Sequence, residues 1–293
     1  MDFRVDARIV SVAKLVWCLL MTAAANPQQK AQAELDAWRA EKDGEMRASD
    51  SPLGRRLPIV LAPGSSRLGS GPENALRFES PGVPEQALEF RQEGNRTTAV
   101  ALVPAVALNG ELLTASAVLV PGNRLEVGPL RLVYLGGSML SVQDAAKPEL
   151  LAYKGLHYLP TDWRYRVEAS FEPAESNRTL RLETTTGGER DLPFRGVLRF
   201  QVHGKPYSLE AFALGERPSD YFVIFRDASN GKKSYGAGRF LWVKGAVDGR
   251  TIVDFNQAWN PLCAYSDGFN CPLAPPENRL PIEISVGEAK YHD

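Results

Sequence analysis

The sequence predicts a mainly β protein: one N-terminal helix followed by two antiparallel β regions. Three observations carry this. Helix-forming composition is confined to one stretch near the N-terminus. From Leu57 onward, short runs rich in branched and aromatic residues alternate with Gly, Pro and Asn turns. The second half then strings hairpins together with no helical pattern between them.

Residues 1–25 read as a signal peptide. Arg4, Arg8 and Lys14 precede the apolar run "LVWCLLM", and Ala23-x-Ala25 offers a small-residue cleavage site. The run is too short for a lasting membrane anchor, so the expected location is exported, periplasmic or extracellular. The other reading is a short amphipathic helix. Residues 26–50, "QQKAQAELDAWRAEKDGEMRA" and its flanks, are rich in Ala, Glu, Lys and Gln, with Leu35, Trp38 and Met46 as the large apolar residues. One exposed helix with a thin apolar stripe is expected there.

Residues 51–135 carry "LPIVLA", "ALRF", "ALEFR", "TAVALV", "AVLV", "RLEVG" and "LRLVYL", the spacing of a β-sandwich. The order "RLGSGPENALRF", "VALNGELL", "LVPGNRLEVGPLRLVYL" resembles the forkhead-associated (FHA) sandwich. That family holds phosphothreonine with an arginine after the first glycine and a Ser-x-x-His element. Here Ser70 follows Gly69 and "VPEQALEF" supplies neither serine nor histidine. The resemblance therefore implies the architecture without phosphopeptide binding, since a phosphate dianion needs its bidentate guanidinium contact.

Residues 136–149, "GGSMLSVQDAAKPE", read as a linker. Residues 150–293 form a second β region, an antiparallel barrel or sandwich, with strands such as "RYRVEASFEP", "GVLRFQVHG", "YFVIFRD" and "GRFLWVKG". Lys+Arg 34 against Asp+Glu 35 leaves no basic field, which argues against a nucleic-acid partner. Neither a phosphate-binding loop nor a nucleophile-elbow serine is present, and no cofactor is implied. His157, His203 and His292 stand alone.

The chemistry concentrates near the C-terminus. A hairpin turning at Ala246 to Gly249 would put Tyr235, Arg239, Asp254 and Asn256 on one face and Phe240, Trp242, Val253 and Phe255 on the other. Two readings stand. In one, Arg239 and Asp254 form a partly buried ion pair and Asn256 caps the next loop. In the other, the strip floors a pocket for a small molecule, with Arg239 on an anionic group and Asp254 as acceptor or base.

The loop that follows, "NPLCAYSDGFNCPLAPPENRLP", holds Cys263 and Cys271 with seven residues between them. Removal of Cys18 with the leader would leave an even pair, a disulfide candidate. Bridging so short a loop would stabilise by roughly 2–3 kcal/mol, and its prolines stiffen it further. C-x7-C with no paired histidine is a poor zinc pattern, so no metal is expected. The runner-up to a binding module is a hydrolase using Asp254 with Glu277 or Glu288.

"LAYKGLHYLPTDWRYRVEASFEP", "VIFRDASNGKKSYGAGRFLWV", "DFNQAWNPLCAYSDGFNCPLAPPENRLP" and "ISVGEAKY" together resemble the bacterial family known only as DUF1684. The shared signature maps onto Tyr235, Gly236, Gly238 and Arg239, then Asp254, Phe255 and Asn256. It continues through Asn260, Pro261, Cys263, Cys271, Pro272, Pro275, Pro276 and Asn278 to Gly287 and Glu288. The resemblance implies no activity, cofactor or substrate. It does place the binding candidates Tyr235, Arg239, Asp254, Asn256, Asn260, Asn278 and Glu288 in a family signature, under a Cys263–Cys271 cap.

Overall fold

The computed structural model describes residues 26–291 apart from 49, 57, 216 and 267. The leader expected over 1–25 lies outside the described residues. The described residues fall into two units, divided between Lys42 and Asp43. Helix α1 (Pro27–Arg47) is the N-terminal helix expected over 26–50, and every strand belongs to the second unit. Among the described residues, no helix is long and apolar enough to cross a membrane.

Eleven short strands build the first β layer pair: β1 (Ile59–Val60), β2 (Gly64–Gly69), β3 (Leu76–Arg77), β4 (Leu88–Glu93), β5 (Arg96–Ala101), β6 (Val106–Leu108), β7 (Glu111–Leu112), β8 (Ser116–Val118), β9 (Arg124–Val127), β10 (Leu130–Gly136) and β11 (Met139–Asp144). One sheet runs β1-β11-β10-β9-β6-β7 and the other β3-β2-β4-β5-β8. Period-2 alternation sends Leu88 and Phe90 from one sheet, and Leu130, Leu132, Leu140 and Val142 from the other, into one shared apolar core. This is the sandwich the alternation predicts.

The linker expected over 136–149 is corrected. Gly136 and Gly137, both at positive φ, make the turn of a hairpin, and β11 pairs with β10 from Leu130↔Asp144 to Gly136↔Met139. The segment is small and polar because it turns. Residues 145–147, the short helix α2 (Pro148–Leu151) and residues 152–165 connect onward to the next strand.

The second β region comprises β12 (Arg166–Pro173), β13 (Thr179–Glu183), β14 (Glu189–Val202), β15 (Lys205–Phe212), β16 (Tyr221–Phe225), β17 (Arg239–Val243) and β18 (Arg250–Asp254). They hydrogen-bond in the order β17-β16-β15-β14-β12-β18, with β13 added beside β14, as a curled half-barrel. The long β14 serves two cores. Leu192 and Phe194 enter an outer cluster with Phe222, Phe240 and Trp259. Beyond the bulge between Phe194 and Gly196, Leu198, Phe200 and Val202 enter the inner cluster with Val223, Leu241 and Val253. An added residue in one strand changes which face its side chains meet.

The expected hairpin between β17 and β18 does not form a ladder. A turn exists at Val247–Arg250, but beyond it β17 pairs with β16 and β18 with β12. The two strands end up at opposite edges of the sheet. Leu241 and Val243 share the Arg239 face and point into the inner core, as do Val253 and Phe255. Asp254 lies between those last two, so Arg239 and Asp254 occupy opposite faces.

Candidate functional site

Arg239 is fully buried, and so is its partner, which is Asp227 rather than Asp254. Its Nη2 donates to Asp227 Oδ2 at 2.7 Å and to the Ile284 carbonyl at 2.8 Å, and Nη1 donates to the Val286 carbonyl. Asp227 Oδ1 accepts from the Ser229 and Ile284 backbone N–H groups at 2.8 and 3.1 Å. The guanidinium lies 5.3 Å from the centre of the Phe225 ring. Burial pulls the Arg239 pKa down while the Asp227 charge resists it. The group is a core ion pair that anchors residues 284–286.

The other signature residues are occupied in the same manner. Asp254 Oδ1 caps the turn at Asn256 N, 3.0 Å, while Oδ2 lies 3.4 Å from Arg166 Nε. Asn256 closes a two-point contact with the backbone of Asp162, accepting from N–H at 3.0 Å and donating to C=O at 3.1 Å. Glu288 accepts from the Asn260 N–H at 3.0 Å and Nδ2 at 2.9 Å, and from the Tyr265 hydroxyl. Its carboxyl is pushed up to about 7, chiefly by burial. The signature glycines are backbone requirements: Gly238 has φ +110° and a Cβ there would lie 2.6 Å from the Phe225 carbonyl oxygen.

Cys263 and Cys271 are neighbouring free thiols, not the expected disulfide. The loop between them is a clasp joining the two β regions. Ser266 Oγ donates to the Arg55 carbonyl at 3.1 Å and accepts from buried Lys147 Nζ at 2.8 Å. The Arg55 guanidinium covers the Phe269 ring at 5.2 Å, and a Cβ at Gly268 would meet the Arg55 carbonyl oxygen at 2.4 Å. Tyr235 donates to the Cys263 carbonyl at 3.4 Å beneath this loop. The polar strip expected under the cap is thus spent on internal bonds.

The open chemistry lies one step further along the same segment. A cleft of about 480 Å³ opens between β13, β15 and residues 273–279, lined by Glu210, Glu277, Arg178, Arg181, Arg279 and Pro275 among others. Glu210 Oε2 is buried and has no hydrogen-bond partner. Burial raises the Glu210 pKa, the facing Glu277 carboxylate raises it further, and Arg178, 3.9 Å away, opposes both. A wider groove of about 930 Å³ lies over β12, β14 and β15. Its arginines are already paired at the surface, Arg199 with Glu172 and Arg250 with Glu168.

Signature residue Asn278 connects to this cleft from below. Its Oδ1 accepts from the Glu210 N–H at 2.6 Å, and its Nδ2 donates to the Glu210 and Ile224 carbonyls at 2.9 and 2.8 Å. It fills the splay between β15 and β16, which share only the Phe212↔Phe222 register pair. At about 1 kcal/mol for each bond, plus the orphaned backbone groups, Asn278→Ala is expected to cost about 3–4 kcal/mol. Urea unfolding measures it; a loss under 1 kcal/mol would contradict the clamp. Glu210, Arg178 and Arg279 were not singled out from sequence. An acidic residue within the apolar run "SLEAFAL" is the signal that could have found the first of them.

The family model described as a protein of unknown function, DUF1684, matches residues 151–289. An uncharacterized protein of Haloarcula marismortui, solved by NMR, is 36% identical over 48% of this chain and 80% of its own, with a TM-score of 0.41. The FHA domain of FhaA is 22% identical over 29% of this chain and 86% of its own, TM-score 0.23. The FHA-2 domain of a Mycobacterium tuberculosis ABC transporter is 20% identical over 29% and 81%, TM-score 0.24. No curated protein matches the chain. With the family model matching residues 151–289 and a relative at 36% identity over four-fifths of its length, the chain belongs to the DUF1684 family.

Proposed function

We propose that the protein is a binding module for a small polar ligand, and that the ligand enters the cleft of Glu210 rather than the space under the Cys263–Cys271 loop. One observation carries this: Glu210, which lines an open cleft of about 480 Å³, has a buried carboxyl oxygen without a partner. A buried acceptor left unmatched costs on the order of 1–3 kcal/mol, and a ligand donor returns it. Glu210 and Glu277 favour an amine. Arg178 and Arg279 at the rim favour a carboxylate or similar anion, with Arg178 held over the Phe194 ring at 4.2 Å. A zwitterion of amino-acid or dipeptide size matches both charge and volume.

The test is a thermal-shift screen of amino acids, dipeptides, polyamines and sugars, followed by calorimetry. Glu210→Gln is expected to weaken the best ligand at least about tenfold, or about 1.4 kcal/mol, with circular dichroism unchanged. Binding to the wild type should release protons at pH values where the raised Glu210 carboxyl is still partly protonated, because an ammonium beside it favours the ionised form. A ligand indifferent to both Glu210→Gln and Arg178→Ala would move the site elsewhere.

A hydrolase is the second reading, supported by two carboxyls sharing the cleft with unlike environments. It pairs Glu277 with Glu210. Asp254 is committed to Arg166 and its turn, and Glu288 is enclosed in the core. Turnover of an ester, glycoside or amide that vanishes in Glu210→Gln would favour this reading over simple binding.

A further inference from the structure

The two cysteines pack on the same outer apolar cluster and differ in exposure and in their polar neighbours. Cys263 starts inside the turn Leu262–Ala264 and is half-buried; Cys271 is buried against the outer apolar cluster. Cys271 is fixed by its backbone, donating N–H to Thr185 Oγ1 at 3.1 Å and accepting at C=O from Thr185 N–H at 2.9 Å. Its sulfur accepts from the Cys263 N–H at 3.4 Å, so the residues abut without being bonded. The Tyr235 hydroxyl reaches Cys263 Sγ at 3.8 Å.

The Tyr235 hydroxyl stands over Cys263, within reach of its carbonyl and its sulfur. The adjoining Cys271 thiol, chiefly, and the Tyr235 hydroxyl 3.8 Å from Cys263 Sγ bring the Cys263 thiol down to about 7, with burial opposing them. The same contact, with burial, drives the Cys271 thiol upward; the more distant Arg190 charge only moderates this. No histidine takes part. Hydroxyl and thiol donors stabilise the thiolate, and the nearby buried thiol is placed to resolve it.

We infer that Cys263 and Cys271 form a thiol–disulfide exchange site that reacts with low-molecular-weight disulfides, Cys263 attacking and Cys271 resolving. The Cys263 thiolate attacks one sulfur of R–S–S–R; a Cys263–S–R bond forms as the S–S bond breaks and RS⁻ leaves. Cys271 then loses its proton to solvent, and its sulfur attacks the Cys263 sulfur. A Cys263–Cys271 bond forms and the second RS⁻ departs. The protein pair is oxidised by two electrons and the small disulfide is reduced to two thiols, each leaving thiolate taking up a proton from solvent. The low pKa of Cys263 suits the attacker, and the part of the rise in Cys271 that comes from Cys263 lapses once Cys263 is bonded to R.

The test uses the full chain, with each cysteine followed by peptide mass spectrometry. Across a series of oxidised-to-reduced glutathione ratios, the Cys263–Cys271 bond is expected to form and to be reversed. Cys271→Ser should stop at a single glutathione on Cys263, and Cys263→Ser should form neither adduct nor bond. In reduced wild type at pH 7, iodoacetamide should modify Cys263 at least tenfold faster than Cys271. Tyr235→Phe should slow Cys263 severalfold with circular dichroism unchanged. Three results overturn the inference: both thiols staying reduced across the series, a bond that glutathione cannot reverse, or equal alkylation rates in the wild type.

Discussion

Arg239→Ala is expected to destabilise the C-terminal β region by about 3–5 kcal/mol, the cost of stranding one member of a buried ion pair. The substitution leaves Asp227 charged and unpaired in the inner core, and it frees the Ile284 and Val286 carbonyls from their donor. It also removes a guanidinium that packs on Phe225. Arg239→Lys should lose less, because a single ammonium keeps the charge but cannot satisfy three acceptors in a fork. Urea unfolding followed by tryptophan fluorescence measures both. A midpoint for Arg239→Ala indistinguishable from wild type would refute the structural assignment and return Arg239 to the list of ligand contacts.

The second large effect is on the pH dependence of stability. Glu288 is 2% exposed, and its carboxyl stands at about 7 against an ordinary value of 4.5. The folded state therefore holds this proton more tightly than the unfolded chain does. Its contribution is fully present below about pH 4.5, where both states are protonated. It falls as pH rises and is gone above about pH 7, a loss on the order of 3 kcal/mol. Glu210, also raised by burial, adds a slope of the same sign. Asp43, Glu89, Asp162 and Glu172 are all shifted downward, so their opposite slopes fall below the ordinary carboxyl range and outside this window.

Glu288→Gln is expected to remove the Glu288 part of the decline between pH 5 and pH 8, leaving the slope that Glu210 adds. Unfolding free energies of the wild type and the variant at both pH values make the comparison direct. A variant that retains the full wild-type decline would show that Glu288 is not the group responsible. The same experiment bears on function: a carboxyl enclosed by Asn260 and Tyr265 stabilises a core, whereas a hydrolytic acid would have to reach a substrate.

Particular residues mark the limit of what could be read in advance. The alternation Leu88, Phe90 and Leu130, Leu132, Tyr134 was enough to recognise a sandwich, because a strand's two faces are set every second residue. Gly136 and Gly137 misled, since glycines that break a pattern serve a tight hairpin as well as a linker. The largest error was the pairing of Arg239 with Asp254. A plausible turn at Val247–Arg250 suggested a ladder, and a turn does exist there. Its strands separate because β12 captures β18 while β16 captures β17.

The amino-acid sequence by itself determined the element types, most of their limits, the sandwich, the family and the segment where polar residues matter. Those properties rest on local periodicity, turn chemistry and motif spacing, which involve neighbours along the chain. Only the tertiary structure decided that Asp227 pairs with Arg239, that Asn278 holds Glu210, and that Ser266 clasps the two β regions together. It also decided which carboxyl keeps a free oxygen at an open cleft and which thiol is the acidic one. Burial and long-range partners set those properties, and both arise only when the sheet curls and brings distant strands into contact.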